Sequence, residues 1–195
     1  MRRELITCVI AVAVITVAFG LVYPLVVTGA SQIVFPGKSN GSKIEVDGRL
    51  VGSRLIGQDF RRNPRYFQER PSTATSYNAA ASAFTNLGPN SRNARDTFTS
   101  NLAAYLNLER PFDPGLTARD VPIDAVTSSA SGVDPQISQA NAAVQAHRIA
   151  AVRHLPLTTV QHLIKQHTDG RFVGVLGEPG VNVLELNLAL DRLGR

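Results

Sequence analysis

Tryptophan is absent, cysteine occurs once, and aromatic residues make up only 6% of the 195-residue chain. The lone Cys8 excludes an intrachain disulfide and any multi-thiolate metal site. With so few rings, a core has to be assembled mainly from Leu, Val, Ile and Ala. Charge is missing over one long stretch: Leu5 to Gly37 contain no Asp, Glu, Lys, Arg or His. Basic tracts interleaved with aromatics are lacking, which argues against a nucleic-acid partner. No Gly-x-Ser-x-Gly elbow and no Gly-x-x-x-x-Gly-Lys-[Ser/Thr] phosphate loop occurs. The nearest pairs, Gly41-Ser42 and Gly52-Ser53, lack the second glycine of an elbow, so the motifs support no autonomous catalytic site.

What is present first is the apolar run. Leu5 to Val27 hold fourteen Leu, Ile, Val or Phe residues in 23 positions. As a helix this run is roughly 35 Å long, against roughly 30 Å of bilayer hydrocarbon. A cleaved signal peptide has a shorter apolar core, although Thr28-Gly29-Ala30 resembles a cleavage site. A lipoprotein signal needs its cysteine at the far end of the run, and Cys8 lies at the near end. A soluble core rarely covers every face of so long a helix. The run therefore reads as one membrane span. Arg2 and Arg3 precede it, and the next basic residue is Lys38, so the N-terminus is expected in the cytoplasm and residues from about 30 outside. Pro24 is expected to kink the helix or mark its exit, with Tyr23 at the outer interface. The expected organisation is a cytoplasmic tip and transmembrane helix over 1–29, a linker over 30–42, and one extracytoplasmic α+β domain over 43–195.

That outer part is large enough for its own core. Arg54, Arg61, Arg62, Arg65 and Arg70 crowd one region, read either as a surface for anionic lipid or an acidic partner, or more simply as a solvated face. Asp47-Gly48 between short apolar runs predicts a hairpin over 43–51. A strand or strand end is expected over 52–60. Residues 61–90 carry prolines, Ser, Thr and Asn with few periodic apolar residues, and read as a long binding or assembly loop. Helices are expected over 91–107, capped by Ser91, over 138–152, capped by Ser138, and over 157–166. Residues 121–130 read as extended, 128–135 as a turn-rich loop, and 171–177 as strand-like. Over 181–193 the pattern fits a strand or a helix, with helix preferred. His147, His154, His162 and His167 cluster in sequence but lack metal-ligand spacing.

Five polar or Gly/Pro-defined strings are not needed by an ordinary core: Gly52-Ser53-Arg54-Leu55-Ile56-Gly57-Gln58, Tyr66-Phe67-Gln68-Glu69-Arg70-Pro71-Ser72, Asn86-Leu87-Gly88-Pro89-Asn90, residues 126–137, and Leu176-Gly177-Glu178-Pro179-Gly180-Val181-Asn182-Val183-Leu184. With Leu186-Asn187-Leu188-Ala189-Leu190-Asp191, and in this order, they resemble the KdpC family, the C subunit of the Kdp potassium-transporting ATPase. Two departures stand out. Ser82-Ala83-Phe84-Thr85-Asn86 replaces a glycine-rich run, and Gln136 stands where the family often has His.

The resemblance implies a membrane-bound accessory subunit rather than an enzyme. Its partners would be a potassium-channel-like subunit, a P-type ATPase catalytic subunit and a small stabilising peptide in a bacterial cell membrane. It further implies a catalytic chaperone that raises the ATP affinity of the pump subunit. An ATP-related loop would correspond to Ser129, Ser131, Gly132 and Gln136. The expected topology puts that loop outside, away from cytoplasmic ATP, so an effect on ATP affinity would have to cross the membrane as a coupling. The loops at 61–90 and 126–137 are the expected docking surfaces, with Arg54, Gln58, Arg70 and Asn86 as candidate contacts. The competing reading is a membrane-anchored extracytoplasmic hydrolase using some Ser and His.

Overall fold

The computed structural model describes residues 1–60, 62–72, 77–88 and 90–193. Arg61 of the basic cluster, Pro89 of the third string and positions 73–76 of the long loop lie outside the described residues. The chain divides into two compact units, Met1–Val51 and Gly52–Arg195.

In the first unit, α1 (Arg2–Val17), a π-helical turn (Ala18–Val22) and α2 (Tyr23–Val34) form one helical run of 33 residues, roughly 50 Å long. None of its residues is buried within the chain, and it is long and apolar enough to cross a membrane. Pro24 does not end the helix. It sits in the first turn of α2, directly after the π turn. A proline removes one N–H and crowds the carbonyl four residues back, and a widened turn accommodates both. The helix also continues through Thr28-Gly29-Ala30 and on to Val34, into the span expected as a linker over 30–42. Extending an existing helix by one residue costs little compared with nucleating a new one, and one glycine costs only about 1 kcal/mol. A short helix, α3 (Pro36–Ser39), follows. The hairpin of β1 (Lys43–Val46) and β2 (Arg49–Ser53) then forms where it was expected. Asp47 and Gly48 both have positive φ, 51° and 73°, as a two-residue hairpin turn requires.

The second unit is α+β. Helices α4 (Arg92–Glu109), α5 (Gln139–Arg153), α6 (Leu157–Gln166) and α7 (Val183–Leu193) surround a small antiparallel sheet. Its strands are β3 (Gln136–Ile137), β4 (Thr168–Asp169) and β5 (Gly180–Asn182), in the order β3-β5-β4. Ser91 and Ser138 cap α4 and α5 by accepting from Ala94 N and Asn141 N, at 3.4 and 3.0 Å. Helical spacing builds the main core: Ala142, Ala146 and Ile149 of α5, Val160 and Ile164 of α6, and Val183, Leu186 and Leu190 of α7 meet Ile137, Val181 and Phe67. A second cluster joins Tyr105 and Leu106 of α4 to Leu116, Ala125 and Val126.

Several expectations change. The strand end expected over 52–60 is confined to Gly52 and Ser53, the end of β2; 54–56 turn and 57–60 have no regular secondary structure. Residues 123–125 form a 3₁₀ turn after Pro122 in place of an extended segment. The strand-like run 171–177 folds back on itself, with Phe172 bridged to Leu176. Residues 183–193 are helical, as preferred, but Gly180–Asn182 just before them is the central strand. The two-residue strands β3 and β4 were too short to leave a periodic signal.

Candidate functional site

Around the small sheet, irregular segments carry almost all of the residues singled out from the sequence. The first is a strap, residues 62–72, which has no regular secondary structure yet is fastened along its length. Phe67 is fully buried, and Asn187 of α7 brackets its backbone, accepting from Phe67 N (2.8 Å) and donating to Phe67 O (3.0 Å). Gln145 of α5 does the same to the next residue, accepting from Gln68 N (2.7 Å) and donating to Gln68 O (3.1 Å). Arg148, also on α5 and fully buried, donates to Pro64 O and Tyr66 O at 2.5 and 2.9 Å, and to both carboxylate oxygens of Glu109 at 3.0 and 3.1 Å. Burial pushes the Glu109 carboxyl up, and Arg148 pulls against that shift without cancelling it. Arg153 reaches Arg65 O (2.7 Å) and Asp191 (2.8 Å), and its guanidinium lies 5.0 Å from the Tyr66 ring centre. Backbone groups here find side-chain partners where a strand would find a ladder. Of these anchors, Asn187 and Asp191 lie in a string singled out from the sequence, whereas Gln145, Arg148, Arg153 and Glu109 did not stand out. The available signal was polar residues at 141, 145 and 148, on the same face of α5 as its buried alanines.

The second segment is the loop 126–134. Arg70, a predicted contact residue, ties the strap to it, donating to Thr127 O (3.4 Å), Ser128 O (3.1 Å) and Asp134 Oδ2 (3.2 Å). Ser129 Oγ accepts from Gly132 N at 3.0 Å, and Ser131 Oγ accepts from Val133 N at 3.2 Å. Ser72 donates to Gly132 O (2.6 Å), and Gly57 N donates to Val133 O (2.8 Å). Gly57 has to be glycine here, because a Cβ would lie 2.5 Å from Asp134 O. Two of the loop's N–H groups, on Gly132 and Val133, are thus engaged inside the loop, and Arg70 is held by Thr127, Ser128 and Asp134. No step through bound nucleotide follows from this set.

A third junction joins two predictions made on different grounds. Arg54 donates to Asp169 and to Glu185 (3.1 Å), while Gln136 donates to the other oxygen of Asp169 (2.7 Å). The hydrogen bond with Glu185, foremost, raises the Arg54 pKa. Asn182 of β5 donates to Arg54 O at 2.9 Å, pinning the turn after β2 to the sheet. Gln58 lies against Gly52, where a Cβ would overlap its amide nitrogen. Asn86 is exposed, with φ of 50°. Asparagine tolerates that region, and Ala83 and Phe84, which replace the glycines of this segment, do not have positive φ.

Between strap and α4 lies a cavity of about 280 Å³, lined among others by Asp59, Gln68, Glu69, Tyr77, Asn101 and Tyr105. Glu69 is buried, and neither carboxyl oxygen has a hydrogen-bond partner among the described residues. Burial raises its pKa well above the ordinary 4.5. The nearby Gln58 backbone N–H opposes this, and Asp134, to a lesser degree, adds to it. Hydrolytic machinery of the Ser-His kind is not assembled among the described residues, where the one histidine side-chain hydrogen bond joins His162 to Gln166 (3.0 Å).

The sequence model of the family described as "KdpC: K+-transporting ATPase, c chain" matches residues 5–192. Among curated proteins, the potassium-transporting ATPase KdpC subunit of Methylococcus capsulatus is 50% identical over 180 residues, 91% of this chain and 92% of that one. That of Koribacter versatilis is 45% identical over 192 residues, 98% and 95% of the two chains. That of Mycobacterium tuberculosis is 46% identical over 194 residues, 99% and 100%. With an exposed apolar N-terminal helix, an α+β unit behind it and matches along nearly its whole length, the chain belongs to the KdpC family of K+-transporting ATPase c chains.

Proposed function

We propose that this chain is the accessory subunit of an ATP-driven potassium uptake pump, anchored by α1 and α2 with its N-terminus in the cytoplasm and its second unit outside. The observation that carries the reading is the match to KdpC subunits over at least nine-tenths of both chains, beside a 33-residue helix with no burial of its own. A helix greasy on all faces needs lipid or other helices around it. The partners in this reading are a potassium-channel-like subunit, the P-type ATPase catalytic subunit and a small stabilising peptide. The outer unit docks over the channel-like subunit and makes no catalytic contribution of its own.

In this reading the subunit acts as a catalytic chaperone by coupling, not by sharing a nucleotide pocket. Docking outside favours the pump conformation that holds ATP more tightly inside. Such couplings amount to about 1–3 kcal/mol, or roughly 5–150-fold in affinity. Two measurements test this together. In a Cys8→Ser background, Ala130→Cys, exposed on the 126–134 loop, is expected to react with a membrane-impermeant maleimide in intact cells. The ATP concentration for half-maximal pump activity is expected to rise when the subunit is omitted, while a photoreactive ATP analogue labels the catalytic subunit and leaves this chain unlabelled. Maleimide labelling at position 130 only after lysis, or labelling of this chain by the nucleotide, overturns the mechanism.

A further inference from the structure

The hairpin from Arg171 to Glu178 is set apart by its exposure. It closes on itself: Phe172 N donates to Leu176 O at 2.8 Å, Leu176 N to Phe172 O at 3.0 Å, and Gly174 N to Arg171 O at 3.0 Å. Val173 and Gly174 at its tip have φ of 54° and 80°. A β-branched residue in that region is strained, so the tip is held in shape by the turn and not by preference. Yet this preformed tip carries an apolar exposure rivalled in the second unit only by Ile123, among the described residues: Phe172 at 74%, Val173 at 77%, Val175 at 71% and Leu176 at 61%. At the base, Arg171 donates to both oxygens of Glu178, at 3.0 and 2.9 Å.

Three surfaces can cover such a knob. A bilayer is disfavoured by charge, because membrane-inserting loops carry surplus Lys or Arg beside their apolar tip and usually Trp or Tyr at the interface. Here the basal arginine is neutralised by Glu178, and the tip has neither Trp nor Tyr. A second copy is disfavoured by area. Four side chains expose on the order of 400 Å², about half of the ~800 Å² that each partner contributes to a stable interface. A small patch suffices only if something else holds the partners together. Membership of the ATPase assembly, in the subunit reading above, does this, since tethering raises effective concentration without adding contacts.

We propose that this hairpin inserts into an apolar pocket on another protein subunit of the ATPase assembly, with the Arg171–Glu178 pair lying at the polar rim of that contact. The proposal rests on the subunit reading above. Its partner is a protein surface with a concave apolar centre and no strong charge at its edge. Salt should then affect the contact little, because the one ion pair at its base is satisfied within this chain.

The test uses the assembly in its native membrane. Phe172→benzoylphenylalanine keeps an aromatic ring and reports its neighbour on irradiation. The expected product is an adduct with a different subunit of the pump, identified by mass spectrometry. An adduct with lipid, an adduct with a second copy, or no adduct overturns the proposal. Val175→Asp is expected to leave the chain in the membrane fraction while its recovery with the pump falls at least tenfold. Unchanged recovery overturns the proposal, and if this variant fails to accumulate, the adduct at position 172 decides alone. If the unaltered chain recovers no ATPase subunit, the subunit reading itself falls. If it recovers the pump but position 172 links to nothing in it, only the hairpin proposal falls.

Discussion

The strap at 62–72 and the hairpin at 171–178 invert each other. The strap is polar, basic and broken by prolines, and on those grounds resembles a free surface loop. Its Phe67 is nonetheless fully buried, and side chains from α5 and α7 occupy its backbone groups. The hairpin is apolar and β-branched, and on those grounds resembles a core strand. It stands in solvent. Polarity marks exposure only when water is the sole partner on offer. Asn187, Gln145 and Arg148 offer the strap fixed partners, whereas none of the described residues of the second unit covers Phe172 or Val175.

The sharpest way to break this contrast is to free the strap. Arg148→Met leaves Glu109 buried and unpaired and orphans two carbonyls, and is expected to destabilise the full-length protein by about 3–5 kcal/mol. Denaturant titration measures it, and adding Glu109→Leu is expected to restore part of the loss. Asn187→Leu keeps the number and branching of side-chain heavy atoms but strips both partners from the Phe67 backbone. About 1–3 kcal/mol per orphaned group is expected, read the same way.

Glu69 gives a smaller effect with a defined sign. Its pKa is raised on folding, so the folded state holds a proton more tightly than the unfolded chain. The stability from that proton is complete below about 4.5 and is lost as pH rises through the folded value. The slope is at most about 1.4 kcal/mol per pH unit. Glu69→Gln is expected to flatten that decline in melting temperature. A shallower decline of the same sign remains from Glu109, which is shifted the same way. An unchanged pH profile in Glu69→Gln would mean the carboxyl is solvated. The smallest effect belongs to the hairpin: Val175→Ser is expected to change thermal stability by less than about 0.5 kcal/mol, as for an exposed residue without internal contacts. A larger loss would place the tip in the core and erase the contrast.

Much of the fold was legible because its causes are local. Ser91 and Ser138 cap the helices they precede, Asp47-Gly48 turns the hairpin, and the interval without charge is helical almost throughout. The candidate site was legible only as positions. Arg54, Arg70 and Gln136 are all engaged in the junctions around the sheet, but nothing in the sequence pairs them with their partners, Asp169 at 115 residues from Arg54 and Asp134 at 64 from Arg70. Gly57 shows the same limit. It is marked in the first string by position alone, and its reason emerges only when Asp134 O is seen where its Cβ would be.

By itself, the sequence determined the anchor, the order of helices and the family, because hydropathy, caps and ordered strings act over a few residues or are compared position by position. Tertiary structure alone decided which loop is buried and which is exposed. That outcome depends on whether distant side chains meet a given backbone group, and long-range hydrogen bonding has no period along the chain.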